Sequence, residues 1–237
     1  MKKLYWALCG LYIIICLYIG KLIFELRRRR MTEVQADDYA AEYVSRWARK
    51  IIKMTGSTVK VSGLDNVPTD TCLFVSNHQE YFDILVMIGY IPKPKGFIAK
   101  KELKKIPAIS YWMKQIHCVF IDRENQKESL KAILEGVNNL KKGYSMHIAP
   151  EGTRSKGPTL GEFKKGSLKL AIKAEVPVIP VTLNNVYKIT EGGGFLNLKA
   201  AEMEMIISKP IDTKALPREM QNDLSERVRG IILENLK

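Results

Sequence analysis

The chain has 237 residues, which is enough for one domain with a sizeable hydrophobic core. Charged residues make up 27% of the sequence and hydrophobic residues 46%, proportions that exclude wholesale disorder. The formal net charge of +13 favours anionic partners, and by itself it does not choose among nucleic acid, an anionic membrane and phosphorylated small molecules. The four cysteines have no C-x-x-C spacing, which favours reduced structural thiols over a metal or redox site.

Residues 4–26 form a nearly continuous apolar run. As a helix this run would be roughly 30 Å long, enough to cross the hydrocarbon core of a bilayer. Four arginines follow at residues 27–30, and no small-x-small cleavage site is present, so a membrane anchor is favoured over a cleaved signal peptide. Because the larger positive cluster is C-terminal to the run, the main domain is expected on the cytoplasmic face of the membrane.

Residues 32–54 have the pattern of a basic amphipathic helix with aromatic residues, and Thr32 is placed to cap it. Such a helix fits a membrane surface, and it equally fits a helix packed on the domain. Both interpretations hold if the helix lies between bilayer and domain. Three segments are predicted: a membrane helix with the arginine run at residues 1–31, an interfacial helix at residues 32–56 and the main domain at residues 57–237.

From residue 57 onward, short strands alternate with helices, which predicts an α/β fold with a mostly parallel sheet flanked by helices. Strands are predicted over residues 58–62, 72–75, 96–99, 118–121, 144–149, 176–183 and 201–207. Helices are predicted over residues 81–89, 108–115, 129–142, 168–174 and 217–236.

Polar side chains follow the predicted strand at residues 72–75, with an amide at Asn77, an imidazole at His78 and a carboxylate at Asp83. A histidine with a carboxylate in reach is the minimum equipment of a general base, since the carboxylate fixes the tautomer and stabilises the imidazolium. The alternative is that His78 caps the next helix and Asp83 only favours its first turn. This stretch alone leaves both interpretations open.

Other predicted strands also run directly into polar residues: one ends at Lys100, another at Asp122 and Arg123, and a third at residues 150–155. In parallel sheets ligands bind outside the carboxyl ends of the strands, so these side chains are expected to meet His78 at one edge.

Residues 151–155 have the composition of a phosphomonoester site. The glycine allows close backbone approach, the hydroxyls donate hydrogen bonds, and the guanidinium offers a bidentate fork. A turn with a salt bridge is the alternative for so short a segment. The five residues are Glu151, Gly152, Thr153, Arg154 and Ser155.

The spacing Asn-His-x-x-x-x-Asp at residues 77–83 resembles the signature of the glycerolipid acyltransferase family. Three further motifs of that family follow in order, at residues 120–123, 151–155 and 176–181, so the resemblance covers roughly residues 57 to 210. Residues 100–103 and 163–166 also match frequent family elements. The chain departs from the family pattern with Ala149 before Pro150 and with His117, interpreted as a structural residue, where glycine is common.

The resemblance implies transfer of a fatty acyl group from a thioester to the sn-2 hydroxyl of 1-acyl-sn-glycerol-3-phosphate, which makes phosphatidic acid. His78 would be the general base and Asp83 its supporting carboxylate. Lys100, Arg123 and residues 151–155 would bind the substrate. No nucleophile elbow is recognisable, which fits direct transfer without an acyl-enzyme. No bound cofactor and no metal are implied, and acyl-CoA or acyl-ACP would be the co-substrate.

Two alternatives remain at this stage. One is an acyltransferase for glycerol-3-phosphate or another lysolipid, and the other is a non-catalytic, membrane-anchored anion binder. A mere binder has no use for the pair His78 and Asp83, which favours an enzyme. The expected partners are therefore lysophosphatidic acid, acyl-CoA or acyl carrier protein and an anionic membrane surface, and not nucleic acid.

Overall fold

The computed structural model describes residues 2–164, 166–191 and 194–237, without the side chains of residues 2 and 218. Seven strands form one sheet: β1 (Thr58–Ser62), β2 (Leu73–Ser76), β3 (Gly96–Lys100), β4 (Val119–Ile121), β5 (Met146–Ile148), β6 (Val178–Asn184) and β7 (Glu202–Ile207). The α-helices are α1 (Lys2–Arg28), α2 (Glu33–Met54), α3 (Phe82–Tyr90), α4 (Pro107–Gln115), α5 (Gln126–Lys141), α6 (Lys169–Ala174), α7 (Arg218–Asn222) and α8 (Leu224–Glu234).

The strand order is β1-β7-β6-β2-β5-β3-β4, and the strands from β6 to β4 in this order are mutually parallel. Strand β7 is antiparallel to β6, and β1 is parallel to β7. The mostly parallel α/β fold predicted from the alternation of elements is therefore confirmed. The topology places the carboxyl ends of β2, β3, β4, β5 and β6 at one edge, called here the carboxyl edge. The carboxyl end of β1 lies at the opposite edge.

Strand β2 lies at the centre of the sheet and is buried on both faces, as expected for a strand of a covered parallel sheet. Because successive side chains of a strand point to opposite faces, Phe74 joins the core layer formed with α2, α3 and α4, whereas Leu73 and Val75 join the layer formed with α5, α6 and α8. The two layers hold β2 rigidly, so the loop that follows it starts from a fixed point.

Helix α1 packs on the domain mainly through its second half. Leu17 and Phe24 are buried there, and the indole N–H of Trp112 donates to the Leu17 carbonyl at 3.1 Å. Gly20 is required at this contact, because a Cβ would collide with the Tyr43 hydroxyl. The remaining surface of the helix exposes large apolar side chains: Leu4, Tyr5, Leu8, Leu11, Tyr12, Ile15, Tyr18, Ile19, Leu22, Ile23 and Leu26. By length and composition, residues 3–28 are sufficient to cross a membrane.

Helix α2 begins with a capping box, in which the Thr32 hydroxyl accepts from the N–H of Gln35 and the Gln35 side chain accepts from the N–H of Thr32. Its buried face is made of small and branched apolar residues and packs mainly against α3. This face consists of Ala36, Ala40, Val44, Ala48, Ile51 and Ile52. The aromatic residues at 39, 43 and 47 are partly buried beside this core layer. The helix is thus packed on the domain, while a role at a membrane surface stays a prediction.

Two predicted helices differ from the observed ones by more than one residue. Helix α5 begins at Gln126 rather than at residue 129, because the Asn125 side chain caps it by accepting from the N–H groups of Lys127 and Glu128 at 3.0 and 3.2 Å. The single helix predicted at the C-terminus is two helices, α7 and α8, which are separated at Asp223.

Candidate active site

The loop between β2 and α3 is held by side chains that bond to distant backbone. The Asn77 amide donates to the Leu183 carbonyl and accepts from the Leu183 N–H, both at 2.8 Å, so it continues the pairing of β2 with β6 beyond the strand end. The Gln79 carbonyl oxygen accepts from the N–H of Val186 at 3.0 Å. These two anchors fix the backbone on both sides of His78.

His78 and Asp83 form a hydrogen-bonded pair, with 2.7 Å between Nδ1 and Oδ2. Asp83 is buried, its Oδ2 also accepts from the N–H of Glu80 at 2.8 Å, and the His78 side chain is only 15% exposed. Burial raises the pKa of Asp83, and the hydrogen bond to His78 opposes that shift. When the Asp83 carboxylate is ionised it only accepts, so the shared proton then belongs to Nδ1 of His78 and the lone pair to Nε2. Nε2 has no hydrogen bond to the part of the chain that the structure describes.

The structure also bears on the two interpretations of His78, as a cap of the next helix or as a general base. Helix α3 begins at Phe82, and the N-cap position is occupied by Tyr81, whose side chain makes no capping hydrogen bond. Within the described residues, the imidazole of His78 is hydrogen-bonded to the Asp83 carboxylate and to no backbone N–H of the helix. This geometry favours a general base.

The other two histidines have structural contacts. His147 is buried in β5, where its Nε2 lies 2.8 Å from the Ser76 hydroxyl, and burial lowers its pKa to about 3. His117 stacks on Tyr144 and pairs with Asp37 at 3.1 Å. His117 lies two residues before β4, at the edge opposite His78, in agreement with its interpretation as a structural residue.

His147 should make the protein less stable in acid. The unfolded chain takes up the proton near pH 6.5 and the folded chain only near pH 3, so stability falls as the pH is lowered through this window. Across this window the free energy of unfolding should fall by on the order of a few kcal/mol. Denaturant unfolding of the His147→Gln variant, which keeps a polar partner for Ser76, should show a weaker loss over the same window. Equal pH slopes for wild type and variant would contradict this role.

The segment after β5 is tied to the histidine loop by backbone hydrogen bonds. The N–H of Ser155 donates to the His78 carbonyl at 2.8 Å, and the N–H of Lys156 donates to the Gln79 carbonyl at 3.1 Å. The carboxylate of Glu151 accepts from the His78 N–H at 2.6 Å and from the Gly161 N–H at 2.8 Å. Both Glu151 oxygens are therefore used inside the protein, and this carboxylate holds the loops in place.

Gly152 lies between two cationic side chains. Its φ of +71° is in the left-handed region, and a Cβ would lie 2.7 Å from Cε of Lys164. The Arg123 guanidinium, carried by the segment after β4, donates to the Gly152 carbonyl. The sequence prediction that the carboxyl ends of separate strands bring cations together thus fits the observed positions. Within the family element at residues 163–166, residue 165 lies outside the described residues.

Arg154 lies on the face of Tyr81, with 3.6 Å from its Cζ to the ring centroid, and forms an ion pair with Glu80. The second oxygen of Glu80 accepts from the Thr190 hydroxyl at 3.0 Å. Burial alone would raise the pKa of Glu80, but hydrogen bonds from the Tyr81 N–H, Arg154 and Thr190 outweigh it, so the pKa is lowered. A guanidinium has five N–H donors, so Arg154 keeps donors for a ligand while Glu80 orients it.

The remaining predicted site residues lie at the periphery. Lys100 is largely exposed and lies 3.4 Å from Glu102. Thr153 is exposed, and the Ser155 hydroxyl donates to the Gly157 carbonyl at 2.9 Å. Within residues 2–164, 166–191 and 194–237, no group of three or more His, Cys, Asp or Glu side chains is placed to hold a metal ion.

Three residues of the site had no predicted role: Glu80, Lys164 and Thr190. Glu80 occupies one of the variable positions between His78 and Asp83, so the motif gave it no role. Thr190 reaches the site from the segment after β6, and no local pattern connects it to Glu80. Of the three residues, only Lys164 was indicated by the sequence, because it belongs to the family element at residues 163–166.

The chain matches the family model described as Acyltransferase over residues 58–184. A 1-acyl-sn-glycerol-3-phosphate acyltransferase of Saccharomyces cerevisiae is 31% identical over 188 residues, 78% of this chain and 61% of the yeast protein. A probable 1-acyl-sn-glycerol-3-phosphate acyltransferase of Mycoplasma pneumoniae is 32% identical, over 74% of this chain and 69% of the relative. The chain covers only 44% of a chloroplastic enzyme of that name from Brassica napus, to which it is 37% identical.

The fold also resembles a solved structure over nearly its full length. The crystal structure of the 1-acyl-sn-glycerophosphate (LPA) acyltransferase PlsC from Thermotoga maritima superposes with a TM-score of 0.80 and 26% sequence identity. The match covers 99% of this chain and 96% of the Thermotoga chain. With the family model matched over more than half of its residues, and with the histidine and arginine motifs on one edge of such a sheet, this chain belongs to the acyltransferase family.

Proposed function

We propose that this protein transfers a fatty acyl group from acyl-CoA or acyl-ACP to the sn-2 hydroxyl of 1-acyl-sn-glycerol-3-phosphate, which makes phosphatidic acid. The observation that carries the proposal is the His78–Asp83 pair, which lies on the same edge of the sheet as Arg123 and Arg154. A base beside two guanidinium groups suits a hydroxyl that belongs to a phosphate ester. The names of the relatives in yeast and Mycoplasma pneumoniae support this acceptor.

In the proposed mechanism, Nε2 of His78 takes the proton of the acceptor hydroxyl while Asp83 stabilises the imidazolium. The hydroxyl oxygen attacks the thioester carbonyl, and the carbon–sulfur bond breaks as the tetrahedral intermediate collapses. The thiol leaves with the proton that His78 carried, so the base is regenerated. Arg123 and Arg154 bind the phosphate and Glu151 holds the histidine loop. Positioning the two lipids together supplies much of the remaining rate enhancement.

An acceptor panel tests the proposal. The purified protein in detergent is given one acyl thioester with lysophosphatidic acid, glycerol-3-phosphate or a lysolipid without a free phosphomonoester. Release of the thiol should depend on lysophosphatidic acid, and the product should be phosphatidic acid. If the protein prefers glycerol-3-phosphate or the other lysolipid, that molecule is the acceptor instead of lysophosphatidic acid. If no acceptor leads to thiol release, a non-catalytic anion binder is favoured.

We also propose that α1 anchors the chain in a membrane and that α2 lies between bilayer and domain, with the domain on the cytoplasmic face. The exposed apolar surface of α1 supports the anchor, and the arginine run at residues 27–30 supports contact with anionic headgroups. A membrane position suits a substrate and a product that are both bilayer lipids. The division into residues 1–31, 32–56 and 57–237 belongs to this proposal.

The full chain should float with lipid vesicles at both low and high salt, because burial of the apolar α1 surface is insensitive to ionic strength. Each basic residue near an anionic surface contributes about 1 kcal/mol, and salt screens that part. The exposed pair Arg29 and Arg30 should therefore give a preference for anionic over neutral vesicles at low salt. An R29E/R30E variant should lose most of that preference.

The matched control is K141E/K142E, which makes an equal change of charge at the exposed C-terminal end of α5. This variant should keep the preference for anionic vesicles. Arg28 is excluded from the variant because it donates to the Gln115 side chain at 2.9 Å. Release of the full chain from vesicles by salt would contradict the apolar anchor. An unchanged preference in R29E/R30E would contradict headgroup contact by the arginine run.

A further inference from the structure

An apolar surface adjoins the phosphate-binding side of the site, and the proposed mechanism does not use it. It is called here the aromatic patch and consists of Tyr81, Phe195 and Leu196. Each of these three side chains is at least 50% exposed, although Tyr81 lies between His78 and Asp83 in the sequence. The ring of Phe195 lies 5.4 Å from that of Tyr81 and 6.2 Å from that of the buried Phe82.

The aromatic patch is directly continuous with Arg154. The Tyr81 ring contacts the guanidinium of Arg154, with 3.6 Å to the ring centroid, and it also contacts Phe195. One aromatic side chain therefore joins a cation that can bind phosphate to an exposed apolar surface. This combination is complementary to an amphiphile whose anionic group and hydrocarbon chain leave the same small core.

The segment that carries the patch is also attached to the site. The Thr190 hydroxyl donates to Glu80 at 3.0 Å, and Glu80 in turn holds Arg154. The N–H of Val186, earlier in the same connection, donates to Gln79 at 3.0 Å. The position of Phe195 is thus linked through Thr190 and Glu80 to the position of the phosphate ligand.

We propose that the aromatic patch binds the sn-1 acyl chain of the lysophosphatidic acid acceptor and thereby sets its preference for long-chain acceptors. This inference rests on the proposed function. In the acceptor, the sn-1 chain and the phosphate are attached to the same glycerol, so a phosphate on Arg154 places the first carbons of that chain within reach of Tyr81. The acyl chain of the donor belongs to a separate molecule, the thioester. A phosphate bound to Arg154 therefore does not fix the position of the donor chain.

The test compares full-length enzymes in mixed micelles with hexanoyl and oleoyl lysophosphatidic acid at one fixed thioester. For F195A and L196A, kcat/KM for the oleoyl acceptor should fall roughly tenfold, as expected for loss of a large apolar contact, and for the hexanoyl acceptor less than twofold. F195L should retain most of the long-chain preference. T190V, which removes the hydroxyl contacts of Thr190 with Glu80 and with the Tyr187 carbonyl, should give a smaller loss in the same direction.

The matched control is L64A, because Leu64 is an exposed leucine that follows β1 at the edge opposite His78. It should leave both acceptors unchanged. Equal losses for both acceptors, no loss in F195A and L196A, or a changed preference among donor chain lengths would each overturn the inference while the proposed function stands. Failure of the wild-type enzyme to acylate either acceptor would overturn both.

Discussion

Replacement of His78 by alanine should lower turnover roughly 10²–10⁴-fold, the usual contribution of a general base, while the protein remains folded. The reason is geometric, because Nδ1 is bonded to the buried Asp83 and Nε2 is left for the substrate hydroxyl. Turnover is measured as release of thiol from the acyl thioester in the presence of lysophosphatidic acid. The fold is checked by circular dichroism and by the thermal unfolding midpoint.

The control for this variant is H117A, which removes the other histidine that reaches the surface. His117 stacks on Tyr144 away from the carboxyl edge, so its loss should change turnover by no more than a few-fold. Near-normal turnover in a folded H78A protein would refute the assignment of the base. A comparable loss in H117A would show that the assay responds to folding instead of to the base.

The variant R154A should raise KM for lysophosphatidic acid far more than KM for the acyl donor. Loss of a hydrogen bond to a charged group costs about 1.5–3 kcal/mol, which corresponds to a rise of roughly 10- to 150-fold. Initial rates with each substrate varied in turn separate the two constants. If KM for the donor rises instead, residues 151–155 belong to the site of the thioester carrier.

Two controls accompany R154A. Because Arg154 pairs with the buried Glu80, its removal leaves a carboxylate without its partner, and the double variant E80Q/R154A removes that charge as well. The double variant should keep the high KM for the acceptor and recover any stability lost in R154A. The exposed Arg227 of α8 provides a second control, since R227A should change neither constant.

Much of the fold was predictable because strands and helices of an α/β domain have distinct local patterns. The β2 strand, the α2 helix with its Thr32 cap, and the alternation of elements after residue 57 all follow from local apolar spacing. The strand order and the reversed directions of β1 and β7 do not, since periodicity reports which residues are buried and not which strand lies beside which. The break at Asp223 was missed because the apolar spacing continues through it.

The site was predictable where residues act next to one another in sequence. His78 and Asp83 are five residues apart in one motif, and the strand ends that carry Arg123 and Arg154 were expected at a common edge. The role of Glu151 as a support for the His78 backbone and the link between Glu80 and Thr190 depend on residues far apart in the chain. Such contacts leave no mark in local composition.

The most direct test of the proposed reaction is a stoichiometric measurement of products. The full-length enzyme in detergent is mixed with a labelled acyl thioester, first alone and then with lysophosphatidic acid, and thiol, phosphatidic acid and protein mass are followed together. The proposed direct transfer by His78 predicts that thiol appears only with the acceptor, one equivalent for each phosphatidic acid, and that no acyl group is found on the protein. Thiol release without the acceptor, a stable acyl-enzyme, or the absence of phosphatidic acid would contradict it.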